Sequence, residues 1–337
     1  MSALPVSHIA VEPHPDLSIV IPVYNEQETL PSLFARLYPA LDALRRPYEI
    51  IFVNDGSRDG SAALLREQFE RRSDVTRVVL FAANFGQHRA ILAGFAHARG
   101  KYLITLDADL QNPPEEIGRV VAELDAGYDY VGTIRQQRQD VAWRRWASRV
   151  INAIRERTTR IRITDQGCMF RGYGRSIVDA INQCSENNTF VPALAYTFAG
   201  RPTEISVRHE DRSFGESKYS LLQLIKLNFD LMTGFSIVPM QIFSALGTGV
   251  SFLSVLFGIG LVIRRLVGGA DAAEQGVFTL FAIAFLLIGF ALFGLGLLGE
   301  YIGRIYEEVR RRPRYIVGAV LERLPGQAAP VGSSPPP

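Results

Sequence analysis

The sequence predicts a doubly wound α/β domain with a mostly parallel sheet, followed by a hairpin of two transmembrane helices. Four short apolar runs are typical of strands buried on both faces: Leu17–Val23, Tyr48–Val53, Thr76–Phe81 and Tyr102–Leu106. Helical patterns separate these runs, and regular alternation of strand and helix favours a parallel sheet. Further along, two long stretches carry no charged side chain, which is typical of membrane spans.

The first helical pattern lies between the first two predicted strands. Its apolar residues recur at the spacing of one helix face, namely Leu30, Leu33, Phe34, Leu37, Leu41 and Leu44. Similar patterns follow Ser61 and Ala90. Because ligands on such sheets bind beyond the carboxyl ends of the strands, functional residues are expected directly after each strand.

The composition gives no support to several classes of protein, namely nucleic-acid-binding, disulfide-rich and secreted proteins. The 337 residues include 36 Lys+Arg and 34 Asp+Glu, a formal net charge of +2, which gives no reason to expect nucleic-acid binding. The two cysteines, Cys168 and Cys184, do not form a disulfide framework, so the α/β domain is expected in the cytosol. The N-terminal residues lack a basic segment followed by an apolar core, and no cleavable signal peptide is expected.

The two uncharged stretches are expected to cross a bilayer, which takes about 20 apolar residues. The predicted spans are Ile242–Ile263 and Val277–Leu298, both apolar on all sides. The alternative, a buried helix pair in a soluble protein, is disfavoured because two such runs are rare in soluble folds. The connection Arg264–Gln275 is short, so the spans form a hairpin with both ends on the same side.

The distribution of basic residues predicts which side that is. The hairpin loop has Arg264 and Arg265, offset by Asp271 and Glu274. The flanks are richer in basic residues, with Arg208, Arg212, Lys218 and Lys226 before the hairpin and Arg304, Arg310, Arg311, Arg312 and Arg314 after it. The positive-inside rule therefore puts both termini in the cytosol.

The segments beside the hairpin are also informative. Tyr219–Gly234 mixes apolar and charged residues at helical spacing, which suits either an interfacial helix or an ordinary amphipathic surface helix. The tail 325–337 is rich in Pro, Gly and Ser and is predicted to be disordered.

Polar clusters follow three of the four predicted strands. They are Pro22–Glu26 (PVYNE), Asn54–Ser61 (NDGSRDGS) and Asp107–Pro114 (DADLQNPP). Each cluster alone could be only a turn or a helix start. Because the carboxyl ends of parallel strands share one edge of a sheet, the three clusters together predict a site there.

Asp107 and Asp109 are the most specific feature of this site. Residues two apart on an extended segment point the same way, and two such carboxylates repel each other unless a cation lies beside them. Mg²⁺ and Mn²⁺ prefer oxygen ligands, often one or two carboxylates plus substrate phosphates, and Gln111 could extend the set. The alternative is a solvated acidic loop.

Other kinds of site are not indicated. No His/Cys cluster has zinc spacing, and there is no GxSxG nucleophile motif or G-x-G-x-x-G dinucleotide fingerprint. His88 is interpreted as structural rather than catalytic.

Several motifs resemble a known family. SIVIPVYNE (Ser18–Glu26), NDGSRDGS, NFGQHRAILAGF (Asn84–Phe95) and TLDADLQNPPEEI (Thr105–Ile117) are similar to the family-two glycosyltransferases of GT-A fold, a Rossmann-like arrangement. Gly132–Asp140, Thr164–Cys168, Arg212–Tyr219 and the ending LGEYIGRIYEEVRRRPRY resemble the polyprenyl-phosphate glycosyltransferases within it. The resemblance covers about Ser18 to Val317.

The resemblance implies a domain plan and a reaction. The expected parts are an extension (1–16), a cytosolic GT-A domain (17–218), juxtamembrane interfacial helices (219–240), the hairpin (241–299), a cytosolic C-terminal segment (300–324) and the disordered tail (325–337). The implied reaction is inverting transfer of a sugar from a UDP-sugar to undecaprenyl phosphate at the cytosolic face of the bacterial inner membrane. The expected sugar is 4-deoxy-4-formamido-L-arabinose, for lipid A modification and polymyxin resistance, and the family further implies a homo-oligomer, a tetramer.

The family also implies roles for individual residues. Pro22, Tyr24, Glu26 and Asp55 would hold the nucleoside, and Asp107, Asp109 and Gln111 the metal (Mg²⁺ or Mn²⁺) and diphosphate. Arg208, Arg212 and Lys218 would close over the diphosphate or receive the acceptor phosphate, for which Arg135 and Arg138 are further candidates. The family usually has two consecutive Asp residues before Gly-Ser; here the first is Asn54, which puts the nucleoside contacts in question.

The expected chemistry leaves one role open. An ionised lipid phosphate is already a nucleophile, so a strong general base is unnecessary. Asp109, Arg212 and Lys218 would act by stabilising charge, and Asp165 is either a base or an orienting carboxylate.

Three alternatives remain at this stage. A related enzyme could move glucose or mannose to the same lipid, for O-antigen or glycan modification. A processive polysaccharide synthase would have more membrane helices and a Gln-rich acceptor motif. A non-catalytic scaffold could bind nucleotide-sugar without transfer, against which Asp107, Asp109 and the segment holding Arg212 and Lys218 argue.

Overall fold

The computed structural model describes residues 15–135, 161–186, 190–210, 229, 233–268, 277–310 and 312–323. These residues belong to two compact units. The first holds 15–135, 162–186, 190–210 and 312–323, and the second holds the two long apolar helices within 233–310. The chain enters the helices after β-strand residues of the first unit and returns to that unit at residue 312.

The first unit is an eight-stranded sheet covered by helices. Its strands are β1 (Leu17–Val23), β2 (Tyr48–Asn54), β3 (Thr76–Phe81), β4 (Tyr102–Thr105), β5 (Tyr130–Arg135), β6 (Arg171–Gly174), β7 (Pro202–Val207) and β8 (Val317–Leu321). Its helices are α1 (Leu30–Asp42), α2 (Ser61–Arg71), α3 (Gln87–His97), α4 (Ile117–Asp125, after a 3₁₀ turn at Pro114–Glu116), α5 (Arg175–Gln183) and α6 (Val191–Phe198).

The strand order is β7-β5-β6-β4-β1-β2-β3-β8. The pairs β4–β1, β1–β2, β2–β3 and β5–β7 are parallel, whereas β6 runs antiparallel to β4 and β5, and β8 antiparallel to β3. The Leu, Ile, Val and Phe residues of the central strands are buried; in β1, for example, Leu17, Ile19 and Ile21 have 0% exposure. This explains why those strands read as continuous apolar runs.

The register brings the ends of three strands to one edge. Val23 lies opposite Asn54, and Val20 lies opposite Thr105, so β1, β2 and β4 all end on the same side. The predicted clusters that follow these strands therefore share one edge, which we call the carboxyl edge.

The other half of the sheet delivers further residues to the carboxyl edge. Because β6 is antiparallel to β4, with Arg171 opposite Thr105, the residues just before β6 lie there. β5 runs antiparallel to β6 and parallel to β7, with Arg135 opposite Val207, so both strands end at this edge. The segment after β7, which begins at Arg208, starts from the same place.

The C-terminal segment completes the sheet. Val317 of β8 lies opposite Phe81, and the Tyr315 ring stacks on the Phe81 ring with centroids 4.9 Å apart. Arg314 donates to the carbonyl oxygen of Cys184, and Glu322 pairs with Arg99 at 3.3 Å. A strand that the sequence analysis did not predict thus covers the outer edge of β3.

The second unit contains α7 (Val238–Gly268) and α8 (Val277–Val309). Both contain a stretch long and apolar enough to cross a membrane, Val238–Gly260 and Ile283–Val309, and almost none of these residues is buried in the described chain. Large apolar side chains are exposed along both helices, among them Phe252, Leu253, Phe285 and Leu286. A helix pair in a soluble core would bury them, so this alternative is not supported.

The two helices pack against each other antiparallel. Phe243 stacks on Phe290 with centroids 4.9 Å apart, and Tyr301 donates to the Ser236 carbonyl at 2.8 Å. A Cβ on Gly294 would lie 2.0 Å from the Phe243 ring, so a larger residue there would displace that ring. The predicted hairpin is present, and α7 extends to Gly268, five residues into the expected connection after Ile263.

Candidate functional site

The loops after β1 and β2 are tied together at the carboxyl edge. The backbone N–H of Asn25 donates to Ser57 Oγ at 3.0 Å, and that of Glu26 donates to Ser61 Oγ at 2.9 Å. These bonds explain the Ser and Gly residues of the second motif, whose backbone and hydroxyl groups shape the loop. The Tyr24 ring remains 43% exposed at this edge, open to a planar ligand. Pro22, near the end of β1, and Glu26, in the loop that follows, flank it in the sequence.

Asp55 is buried beneath this surface, with 3% exposure. Its carboxylate accepts hydrogen bonds from the backbone N–H groups of Phe85 and Gly86, at 2.6 and 2.8 Å. Burial raises the Asp55 pKa and these two bonds oppose the rise. Asp55 thus shapes the loop after β3, a task separate from the predicted nucleoside contact, which stays a prediction.

The loop that Asp55 holds presents Gln87 to the acidic motif. Gly86 has φ 99°, a backbone conformation that favours glycine, and α3 begins immediately after it. Gln87 Nε2 then donates to Asp107 Oδ1 at 2.7 Å. Sequence reasoning did not single out Gln87, because its partner is 20 residues away.

Asp107 and Asp109 lie in the turn that follows β4. Leu110 between Asp109 and Gln111 has φ 60°, which costs a non-glycine residue about 1–2 kcal/mol. The Asp109 carboxylate accepts from the Gln111 backbone N–H at 3.1 Å and holds this turn. The structure therefore brings the three predicted metal residues into one tight loop.

The electrostatics of Asp107 fit a cation site. Burial, followed by the charge of Asp109, raises the Asp107 pKa to about 7, and the nearby Arg135 partly opposes the rise. Among the residues the structure describes, no group of three His, Cys, Asp or Glu side chains is arranged as a complete metal cage. Mg²⁺ and Mn²⁺ suit two neighbouring carboxylates, because they often take one or two carboxylates and complete their ligands with substrate phosphates and water.

A second charged pair faces this motif from β5. The Arg135 side chain donates two hydrogen bonds to the Asp165 carboxylate, from Nε to Oδ2 at 2.7 Å and from Nη2 to Oδ1 at 2.8 Å. Asp165 is only 3% exposed, while one fifth of the Arg135 side chain is exposed. The pair raises the Arg135 pKa still further, so the guanidinium is a permanent cation.

A buried arginine supports the Asp165 loop from below. Arg171 is fully buried and donates to the carbonyl oxygens of Asp165 and Cys168 and to the Tyr130 hydroxyl. Cys168 contacts Asn112, which connects this loop to the Asp109 loop. Cys168 is therefore a buried structural thiol, and Arg171 and Asn112 are supporting residues that the motifs did not reveal.

Arg208 stands at the carboxyl edge after β7. Its Nε donates to Glu116 Oε1 at 2.8 Å, and the rest of the side chain is exposed. Glu116 is 3% exposed and also pairs with Arg119, and these two arginines hold its pKa below the ordinary value despite burial. Glu116, the second acidic residue after the two prolines, thus positions a predicted diphosphate ligand.

Three predicted residues, Arg138, Arg212 and Lys218, lie outside the described residues. His88 packs edge-on against Phe190, and burial lowers its pKa to about 4. It is neutral at physiological pH, consistent with the structural role predicted for it.

The chain resembles known proteins in sequence over most of its length. The profile described as Glycosyl transferase family 2 matches residues 18–181. Undecaprenyl-phosphate 4-deoxy-4-formamido-L-arabinose transferase of Klebsiella pneumoniae (strain ATCC 700721 / MGH 78578) is 51% identical over 91% of this chain and 94% of its own. The chain belongs to glycosyltransferase family 2. A protein of the same name from Pseudomonas fluorescens (strain SBW25) is 50% identical over 94% and 92% of the two chains.

The family assignment confirms the predicted resemblance and the GT-A-like fold of this glycosyltransferase. Among solved structures, the chain is similar to a Pyrobaculum calidifontis mannosyltransferase in complex with GDP-Man and Mn²⁺. The two are 14% identical over 89% of this chain and 88% of that one, with a TM-score of 0.43. This likeness is too distant to bear on substrate or metal.

Proposed function

We propose that this glycosyltransferase moves 4-deoxy-4-formamido-L-arabinose from UDP to undecaprenyl phosphate at the cytosolic face of the bacterial inner membrane. The observation that carries the proposal is that two features lie at the same edge of the sheet. They are the acidic turn Asp107–Gln111, suited to a metal ion, and the Arg135 guanidinium, fixed by Asp165. The same chain also carries an apolar helix hairpin. The curated relatives, about half identical over nearly the whole chain, are named for this acceptor and sugar.

The donor is assigned to the side of the edge formed by β1, β2 and β4. Tyr24 offers an exposed ring for the base, flanked by Pro22, Glu26 and the loop that Asp55 shapes. Asp107, Asp109 and Gln111 would hold Mg²⁺ or Mn²⁺, which neutralises the charge of the leaving diphosphate. Arg208, with Arg212 and Lys218 further along, would meet the same diphosphate.

The acceptor is assigned to the side formed by β5 and the loop before β6. Arg135 ends β5 at the carboxyl edge and keeps its positive charge, which makes it a suitable partner for a lipid phosphate, with Arg138 three residues on. A phosphate oxygen attacks the anomeric carbon as the bond from that carbon to the UDP oxygen breaks. Attack from the face opposite UDP inverts the anomeric centre, and UDP leaves with the electron pair.

Asp165 is assigned an orienting role rather than that of a base. Both of its oxygens already accept from Arg135, and the ionised acceptor needs no proton removed. The buried Asp165 carboxylate accepts two hydrogen bonds from the Arg135 guanidinium and so fixes the plane of that group. A guanidinium of fixed orientation can bind a phosphate in a defined position.

The connectivity supports an acceptor that stays in the membrane. β7 ends at the carboxyl edge before the hairpin, and β8 begins at that edge after it, so both ends of the hairpin join one folded unit. Two spans with both ends on one side agree with the positive-inside prediction. Extracting a polyprenyl chain would cost about 0.8 kcal/mol for every buried CH₂, so transfer must occur at the bilayer surface.

A donor panel tests the proposal. Purified protein with Mn²⁺ and undecaprenyl phosphate is given UDP-4-deoxy-4-formamido-L-arabinose, UDP-glucose or GDP-mannose, and the lipid product is identified by mass and its anomeric configuration by NMR. We expect the formamido-arabinose donor to be used far better than the others, with inversion. A preference for glucose or mannose would overturn the sugar, and no lipid product from any donor would favour the scaffold alternative.

A further inference from the structure

One arginine outside every motif joins two loops of the site. Arg36 lies on α1 and bonds two carboxylates at once. It contacts Glu115 through Nε at 3.0 Å and Nη2 at 2.9 Å, and Glu210 through Nη1 at 2.8 Å and Nη2 at 3.0 Å. A planar guanidinium makes four such bonds only when both carboxylates lie close to its plane.

The two partners belong to loops that the proposed reaction uses. Glu115 follows the Asp107–Asn112 turn, and Glu210 follows Arg208 after β7. A third contact joins the same loops, since the Glu210 backbone N–H donates to the Gln111 carbonyl at 2.9 Å. Arg36 therefore joins the 3₁₀ turn that directly follows the Asp107–Asn112 turn to the Arg208–Glu210 segment after β7.

Stability alone does not account for this cluster. The three side chains are 32%, 44% and 49% exposed, and ion pairs of that exposure contribute about 0–1 kcal/mol. Its partners are 79 and 174 residues away along the chain, so no local helix preference explains it. What the cluster does determine is the distance between two loops at the carboxyl edge.

We propose that Arg36 is a positioning residue for donor binding, which holds the Arg208–Glu210 segment over the Asp107–Gln111 turn so that both contact the UDP diphosphate. This inference rests on the proposed function. It makes α1, a helix without any catalytic motif, part of the donor site's support.

The chain contains a matched control for the test. Arg46 and Asp125 form a two-bond pair at 3.2 and 2.6 Å, with side chains 33% and 37% exposed. Arg46 precedes β2 and Asp125 ends α4, so this pair lies at the opposite edge of the sheet. R46M removes a similar pair of similar exposure without touching the carboxyl edge.

The experiment measures UDP binding in the presence of Mn²⁺ by calorimetry, together with donor KM and kcat. We expect R36M to weaken UDP binding about tenfold and raise donor KM to match, because a small misplacement of binding groups is costly. R36K, which keeps the charge but cannot span two carboxylates, should fall between R36M and the wild type. Acceptor KM should not change, and the Tm should fall by about 3 °C or less.

Two results would overturn the inference: UDP affinity for R36M within twofold of the wild type, or an equal loss in R46M. E210Q supplies a further test, since R36M/E210Q should bind UDP no worse than R36M alone if the two residues act together. UDP binding needs neither the sugar nor the lipid, so failure of the proposed transfer reaction would show separately, as absence of lipid product from the wild-type protein.

Discussion

At the scale of single residues, the site is built by side chains that hold other side chains. Asp107 takes a hydrogen bond from Gln87, Arg135 is held by Asp165, and Arg208 is held by Glu116. Each of these three predicted ligands thus has a partner that fixes its direction. Such partners are commonly as important to a metal or phosphate site as the ligands themselves.

Replacing Gln87 by leucine should weaken metal binding. The Q87L protein loses the amide that orients Asp107 Oδ1, and loss of such a partner costs about 10- to 100-fold in affinity. Calorimetric titration with Mn²⁺ measures this directly. Q183L, at an exposed glutamine that ends α5, is the control and should bind Mn²⁺ like the wild type; equal affinity in Q87L would show that Asp107 needs no such support.

Replacing Asp165 by asparagine should impair acceptor binding more than the chemical step. The D165N protein loosens the grip on Arg135, so the KM for undecaprenyl phosphate should rise about tenfold while kcat falls less. The double variant R135M/D165N should be no worse than R135M, since the two act as a unit. If D165N instead abolished kcat with an unchanged KM, Asp165 would be a base.

At the scale of elements, buried and exposed ion pairs join the loops after β4 and β7, and we expect them to contribute unequally to stability. Glu116 is buried between Arg208 and Arg119, whereas its neighbour Glu115 is half-exposed on Arg36. Neutralising a buried paired carboxylate leaves its partners poorly compensated, and neutralising an exposed one costs little.

The E116Q variant should lose about 1–3 kcal/mol of stability at neutral pH, because a charged hydrogen bond at a buried site is removed. The folded-state pKa of Glu116 is depressed below its ordinary value of 4.5, so its stabilisation is present above that value and is lost as pH falls through the folded pKa. The stability gap between wild type and E116Q, measured by thermal melting across pH, should therefore shrink in acid. E115Q is the control, with a cost of about 1 kcal/mol or less; a gap that widened in acid would contradict the pairing.

At the scale of the whole molecule, the chain returns from the apolar hairpin to finish the sheet. Tyr315 stacks on Phe81, which in turn packs edge-on against Phe85 of the loop that presents Gln87. β8 then pairs with β3. The C-terminal segment is thus part of the α/β unit, and the hairpin is inserted into that unit rather than appended to it.

Tyr315→Ala should therefore destabilise the α/β unit, by about 1–3 kcal/mol, through loss of ring packing at a half-buried position. Thermal melting of the detergent-solubilised protein measures this. Tyr315→Phe keeps the ring and should be close to wild type. Equal stability of all three proteins would mean that the C-terminal segment does not support the sheet.

Much of this arrangement could be predicted from sequence, because its signals are local. The apolar runs gave β1 to β4 nearly to the residue, and the uncharged stretches gave the hairpin. Strand β8 was missed because Val317–Leu321 is short and its partner β3 lies far back in the chain. Arg36 lies outside every motif, and Gln87 lies within the motif Asn84–Phe95 but was not singled out, because each residue acts through a tertiary contact that sequence does not reveal.

The role of Asp165 shows the same limit at the site. Its place in a motif marked it as important, yet sequence left base and orienting carboxylate equally open. The two-bond contact with Arg135 is the structural observation that favours the orienting role.

The most direct measurement of the central claim is the mass of the lipid extracted after reaction of purified protein with UDP-4-deoxy-4-formamido-L-arabinose, Mn²⁺ and undecaprenyl phosphate. The account predicts a lipid heavier by one formamido-arabinosyl group, absent when undecaprenol replaces the phosphate and reduced at least about 100-fold in D109N. Unchanged lipid accompanied by release of free sugar, or full product with D109N, would contradict it.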